Sequence, residues 1–119
     1  MNFKELLAYK KALGLAMEIF EFSKTFPLEE KYSLTDQVRR SSRSVCANLA
    51  EAYRKRLYPN HFICKLTDCD AENSDTSVWL EFAHECSYLS QAQFNHLLTK
   101  NNEVGKLINF MVNNPTKFR

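Results

Sequence analysis

The sequence predicts an all-α fold, an up-down-up-down antiparallel four-helix bundle. Three observations carry that expectation. Only two glycines and three prolines punctuate 119 residues of which 45% are hydrophobic, so few turns are available and long regular elements are expected. Four stretches place apolar residues at three- and four-residue steps, the period of a helix with one buried face. The links between those stretches are short, which makes consecutive helices antiparallel neighbours. One domain spanning residues 1–119 is expected, large enough to bury a core without staples. No internal repeat or low-complexity tract interrupts it.

In the first helix Phe3, Leu6, Leu7, Leu15, Ile19 and Phe22 form one stripe, and the helix is expected from Phe3 to Lys24. Pro27 ends it, because proline disfavours helical geometry in the residue before it and has no amide to donate. Ser33-Leu34-Thr35-Asp36 reads as a start signal, with the Ser33 hydroxyl as cap and Asp36 complementing the helix dipole. The second helix then runs to Arg56 with Leu34, Val38, Val45, Leu49 and Ala52 on its buried face. Pro59 opens the third helix, where a missing amide is harmless, and Leu57-Tyr58 makes the turn. The third helix is expected to reach about Leu89. Ser90-Gln91-Ala92-Gln93 matches a capping box for the fourth, whose stripe runs from Phe94 to Met111 and which stops at Asn113-Asn114-Pro115.

The third helix carries more apolar surface than a monomer needs. Its seam is Phe62, Leu66, Cys69, Asn73, Thr76 and Leu80. In its second half Val78, Trp79, Leu80, Phe82, Ala83, Cys86 and Leu89 cover most of the circumference, leaving Glu81, His84, Glu85 and Tyr88 for water. Self-association into a homo-oligomer is the preferred explanation; a helix at the centre of a monomer is the alternative.

The second helix raises the functional question. Arg39, Arg40, Arg43 and Arg54 fall on one side of it, followed by Lys55 and Arg56. This local excess of cations, within a chain of net charge only +2, suits the phosphates of RNA or DNA, and arginine forks suit them best. No aromatic residue interleaves the arginines in sequence, so binding would be directed at the backbone. The competing reading is architectural. Residues 59–89 hold six acids against the single Lys65. A hairpin turning near Leu57-Tyr58 sets Arg43 level with Glu72, Arg40 with Asp75 and Ser42 with Asn73. Those acids could bind the arginines within the subunit or across a subunit interface, while Ser41, Ser42, Asn48, Glu72, Asn73 and Asp75 supply a structural polar network beside the seam. The protein would then be a scaffold or adaptor for a protein partner.

Other chemistry finds little support. The Glu81-Phe82-Ala83-His84 step resembles half of a di-iron set, and di-iron bundles need two such steps. His61, Cys64 and Asp68 share a face but lack a fourth ligand. No glycine-rich phosphate loop or nucleophile triad is present, so neither an enzyme nor a cofactor or metal is expected. Cys46, Cys64, Cys69 and Cys86 are expected to be reduced packing thiols. The N-terminal residues mix lysines with apolar side chains and match neither a signal peptide nor a membrane span, so a cytoplasmic location away from the membrane is expected.

The run from Tyr32 through Arg39-Arg40-Ser41-Ser42-Arg43 to Val45, continuing Ala47-Asn48-Leu49-Ala50-Glu51, resembles the 23S rRNA intervening-sequence protein family, the four helix bundle proteins. The likeness extends to Leu6-Leu7-Ala8-Tyr9-Lys10, Ala71-Glu72-Asn73-Ser74-Asp75, Trp79-Leu80-Glu81-Phe82-Ala83 and Cys86-Ser87-Tyr88-Leu89. It implies a four-helix bundle that assembles into a ring-shaped pentamer. Family members are often encoded within insertions in bacterial 23S rRNA genes. A distant similar protein is the accessory protein of diversity-generating retroelements, which resembles an adaptor between a reverse transcriptase and nucleic acid. Many relatives have proline at the position of Cys46 and glycine at that of Ala52. Both differences favour a straighter second helix here.

Overall fold

The computed structural model describes residues 2–119. Four helices account for most of the chain: α1 (Leu7–Ser23), α2 (Leu34–Arg54), α3 (Pro59–Glu85) and α4 (Gln91–Asn113). Each packs on two neighbours, α1 on α2 and α4, α3 on α2 and α4. The directions alternate, because the end of α1 lies by the start of α2, where Arg39 bonds Ser23, and α3 meets α4 at Asn73–Asn101 and, further along, at His84–Phe94. The body is 44 × 25 × 21 Å, close to the roughly 40 Å that α3 alone spans at 1.5 Å per residue.

The ends of the helices show where local chemistry departs from the simplest reading. The first helix does not start at Phe3. Phe3–Glu5 form a single 3-10 turn, capped by Asn2, and Leu6 is extended with ψ of 130°. That break turns Leu6 into the core, while the Phe3 ring packs edge-on against Tyr9 at 5.0 Å. At the start of α2 the expected Ser33 cap is not made. The carboxylate of Glu30 takes its place and accepts from the Leu34 amide at 3.3 Å. The other Glu30 oxygen accepts from the Tyr88 hydroxyl at 2.9 Å, so one carboxylate joins the α1–α2 link to the α3–α4 link. This bond pushes the Tyr88 phenol up to about 12.

The third helix ends at Glu85, four residues before the expected Leu89. Ser87 adopts φ of 63°, the Ser87 amide donates to the His84 carbonyl and the Tyr88 amide to that of Ala83. These two bonds make a Schellman motif with serine where glycine is usual. At the start of α4 the capping box is complete, with the Gln93 amide donating to Ser90 Oγ and the Ser90 amide to Gln93 Oε1. After α4 the chain makes one more turn, Pro115–Phe118, which brings Phe118 against Phe62 and Phe110.

The core follows the stripes, except that Leu7 of the first is 55% exposed. All five expected α2 positions and all six of the α3 seam are buried, as are Leu15, Ile19, Leu97, Val104, Ile108 and Met111. The cysteines divide: Cys46 and Cys69 are buried packing thiols, whereas Cys64 and Cys86 are exposed, and all four are free. The crowded half of α3 also divides. Leu80 and Ala83 face the core and Trp79 is half-buried, but Val78 and Phe82 remain 44% and 53% exposed beside Glu81 and Glu85. Of the residues expected to face water, Tyr88 bonds Glu30 and His84 stacks on the Phe94 ring at 4.6 Å.

Two polar contacts cross the core. Asn73 Nδ2 donates to the Asn101 carbonyl and to Asn101 Oδ1, and Asn101 Nδ2 donates back to the Asn73 carbonyl, at 2.9–3.1 Å. One turn further along α3, Thr76 Oγ1 bonds Ser41 Oγ of α2 at 2.8 Å and donates to the Glu72 carbonyl. Gly105 sits beside the amide pair, where an added Cβ would lie 2.8 Å from Asn73 Oδ1. Glycine to alanine inside a helix ordinarily gains about 1 kcal/mol. Here Gly105→Ala is expected to destabilise instead, because Asn73 must shift and break its bonds. Urea denaturation of a double-mutant cycle checks this: the loss should turn into a gain in an Asn73→Ala background.

Candidate nucleic-acid interface

Arg39, Arg40, Arg43 and Arg54 are carried by α2, and Lys55 and Arg56 lie just past its end at Arg54, two residues short of the expected boundary at Arg56. Arg39 points to α1. Its Nε donates to Ser23 Oγ at 2.8 Å, and its guanidinium lies 4.8 Å from the Phe20 ring centre. Arg43 is exposed and approaches the same ring at 5.7 Å. Arg40 faces outward, 73% exposed, with Asp36 of its own helix at 3.6 Å. Arg54 and Lys55 are exposed and bound to no carboxylate. Arg56 folds back over the Tyr53 ring at 4.2 Å and donates to the Tyr53 carbonyl.

Within the subunit the expected pairs with α3 do not form. Among the described residues no ion pair joins Arg43 to Glu72 or Arg40 to Asp75. The heights were set correctly, since Glu51 and Lys65 meet across the same interface, but the flank was not. Arg39 and Arg43 lie on the side of α2 that meets α1, whereas Ser41 and Glu51 lie on the side that meets α3. The α2–α3 ion pair therefore has the opposite polarity, an acid on α2 and a lysine on α3, at 2.8 Å. Lys65 also reaches Asp68 at 3.7 Å.

The polar network is likewise rearranged. Ser41 belongs to it through Thr76, and Asn73 through Asn101. Glu72 contributes only its main-chain carbonyl. Ser42 is buried but bonds back to the Arg39 carbonyl of its own helix. Asn48 is half-buried and joins neither contact, and Asp75 is exposed. Thr76 and Asn101 are the members that the sequence reading missed. Asn101 had a usable signal, as an amide on the buried face of α4 between Leu97, Val104 and Ile108.

The remaining chemistry is sparse. Among the described residues no three His, Cys, Asp or Glu side chains converge as metal ligands. No helix among them is long and apolar enough to cross a membrane. Burial pushes the Cys46 thiol up to about 11 and that of Cys69 up to about 12, so neither is a nucleophile at neutral pH.

The model of the 23S rRNA-intervening sequence protein family matches residues 4–110. The chain belongs to that family. Among solved structures it is similar to a protein of unknown function from the S23 ribosomal protein family of Bacteroides thetaiotaomicron. The TM-score is 0.81 at 27% identity, over 90% of this chain and 96% of that one. No curated protein matches it.

Among the described residues one ion pair of lysine and acid joins two helices, and it has a pH signature. The bond from Lys65 holds the Glu51 carboxyl below its usual range and holds the Lys65 ammonium above its own. A carboxyl lowered in the folded state stabilises it above the unfolded value and loses that contribution as the pH falls through the folded value. The gap in stability between wild type and Glu51→Gln should therefore be present at neutral pH and close on the acid side of the carboxylate range. Urea midpoints measured across that range test the point; a gap that persists in acid contradicts it.

Proposed function

We propose that this family member is a non-enzymatic, self-assembling helical bundle that binds the phosphate backbone of RNA or DNA through α2. The observation that carries the reading is the state of its cations. Arg43, Arg54 and Lys55 are exposed with no acid bound to them, and Arg40 has only a loose intrahelical partner. Such a pair contributes little and is readily exchanged for a phosphate. Arg39 is committed to α1, and Arg56 is held on Tyr53 with part of its guanidinium accessible. Arg39, Arg43 and Arg56 have rings beside them, which support a guanidinium without neutralising it. The family's name, which ties it to rRNA genes, agrees with a nucleic-acid partner and a bacterial cytoplasm.

Filter binding of a mixed-sequence oligonucleotide tests this. Affinity should fall steeply with salt, and Arg40→Glu with Arg43→Glu and Arg54→Glu should weaken all sequences alike. No detectable binding at low salt eliminates the proposal.

Self-assembly rests on a separate observation, the exposed Val78 and Phe82 flanking a shallow apolar groove on α3. A ring of subunits, five by family resemblance, would cover it. The same face favours a second reading, a scaffold whose protein partner docks there. Sedimentation at micromolar concentration decides: a larger species that Phe82→Asp converts to a folded monomer supports self-assembly, and a monomeric wild type favours the scaffold.

A further inference from the structure

The end of the bundle that carries the α2–α3 turn also collects both ends of the described chain. Arg54, Lys55, Arg56, Lys117 and Arg119 line clefts there, and Lys4 and Glu5 follow Phe3 in the chain. Glu51, on the flank of the same end, is engaged by Lys65. Two adjacent clefts, each of about 350 Å³, open at this end and share Tyr53 and Arg56. One is completed by Leu6, Lys117, Phe118 and Arg119, the other by Asn2, Phe3 and Arg54. No Asp or Glu side chain lines either. Beside them Tyr58 stands 63% exposed, edge-on to His61.

This composition differs from that of the arginine stripe. Within the Arg39–Arg43 cluster of α2 no ring lies between the cations in sequence. At the end of the bundle the fold interleaves cations from α2 and the C-terminal turn with Phe3, Tyr53, Tyr58 and Phe118. A concave basic surface bearing rings is what an unpaired strand requires, since its bases are free to stack and its phosphates remain charged. A duplex keeps its bases stacked inside and presents only phosphates and groove edges. An anionic membrane would also meet the charge, but here three of the four rings line clefts instead of projecting for insertion.

We propose that this basic end is a binding site for single-stranded nucleic acid, with phosphates on Arg54, Arg56 and Lys117 and bases against Phe3, Tyr58 and Phe118. The proposal rests on the backbone-binding function above and adds the strand class and the residues that select it. Arg40 lies about 21 Å from Arg54 along α2, so the stripe and the clefts can be varied separately.

The test is fluorescence anisotropy at low salt with a single strand of about twelve nucleotides and the duplex of the same length. The native protein should prefer the single strand by about tenfold. Tyr58→Ala and, separately, Lys117→Glu with Arg119→Glu should remove that preference, while Arg40→Glu with Arg43→Glu should weaken both ligands and leave the ratio intact. All these side chains are exposed, and circular dichroism confirms that the variants fold. Equal affinity for the two ligands, or a ratio unmoved by the first two variants, overturns the single-strand site and leaves backbone binding standing. Absence of binding to either ligand overturns both proposals. Binding to phosphatidylserine vesicles in place of oligonucleotides, lost in the Lys117→Glu and Arg119→Glu variant, overturns both in favour of a membrane surface.

Discussion

The arrangement of this bundle depends on the buried amide pair of Asn73 and Asn101. Apolar side chains at helical spacing tell α3 and α4 to pack, but a stripe of leucines reads nearly the same after a slip of one turn. The amides do not. Each donates to the other's helix, and a slip would leave polar groups in the core with nothing to bond, at about 1–3 kcal/mol apiece. Gly105 is part of the same device, since only a residue without a side chain lets the Asn73 amide come so close to α4. One turn along α3, Thr76 does for α2 what Asn73 does for α4. The third helix thus acts as the ruler against which its two neighbours are set.

That division of labour leaves the charges on α2 free for other work. With register fixed by buried hydroxyls and amides, the arginines are not needed to hold α3. They turn instead to the α1 flank and to water. Phe20 is the surface on which Arg39 and Arg43 rest, and a ring supports a guanidinium without neutralising it as a carboxylate would. The outcome is a bundle whose positive face is positioned by packing and still carries its charge.

Much of this could be read from the residues themselves. The helices, the capping box at Ser90 and Gln93, the proline starting α3 and the buried seams all follow from patterns whose period or chemistry belongs to one structure. What escaped was of two kinds. Some features break a usual preference. Ser87 takes a conformation that glycine favours, and Leu6 leaves a helical pattern to reach the core. Others need the third dimension. Height along a hairpin can be counted, so Glu51 meets Lys65 near where the count puts it. Which flank of α2 faces α3 and which faces α1 depends on how the whole bundle closes, and the arginines were assigned to the wrong one. The meeting of Lys117 and Phe118 with Arg56 across the end of the bundle was invisible for the same reason.

The unequal burial of the four thiols gives the molecule built-in reporters of its own breathing. Cys64 lies open on α3 and Cys86 just past its end, whereas Cys46 and Cys69 are buried and held protonated. An alkylating reagent reacts with the thiolate, so it modifies the first pair directly and the second only when the helices that cover them part. The rate at which the sealed pair is alkylated therefore measures how often the packed faces of α2 and α3 open, with no residue changed.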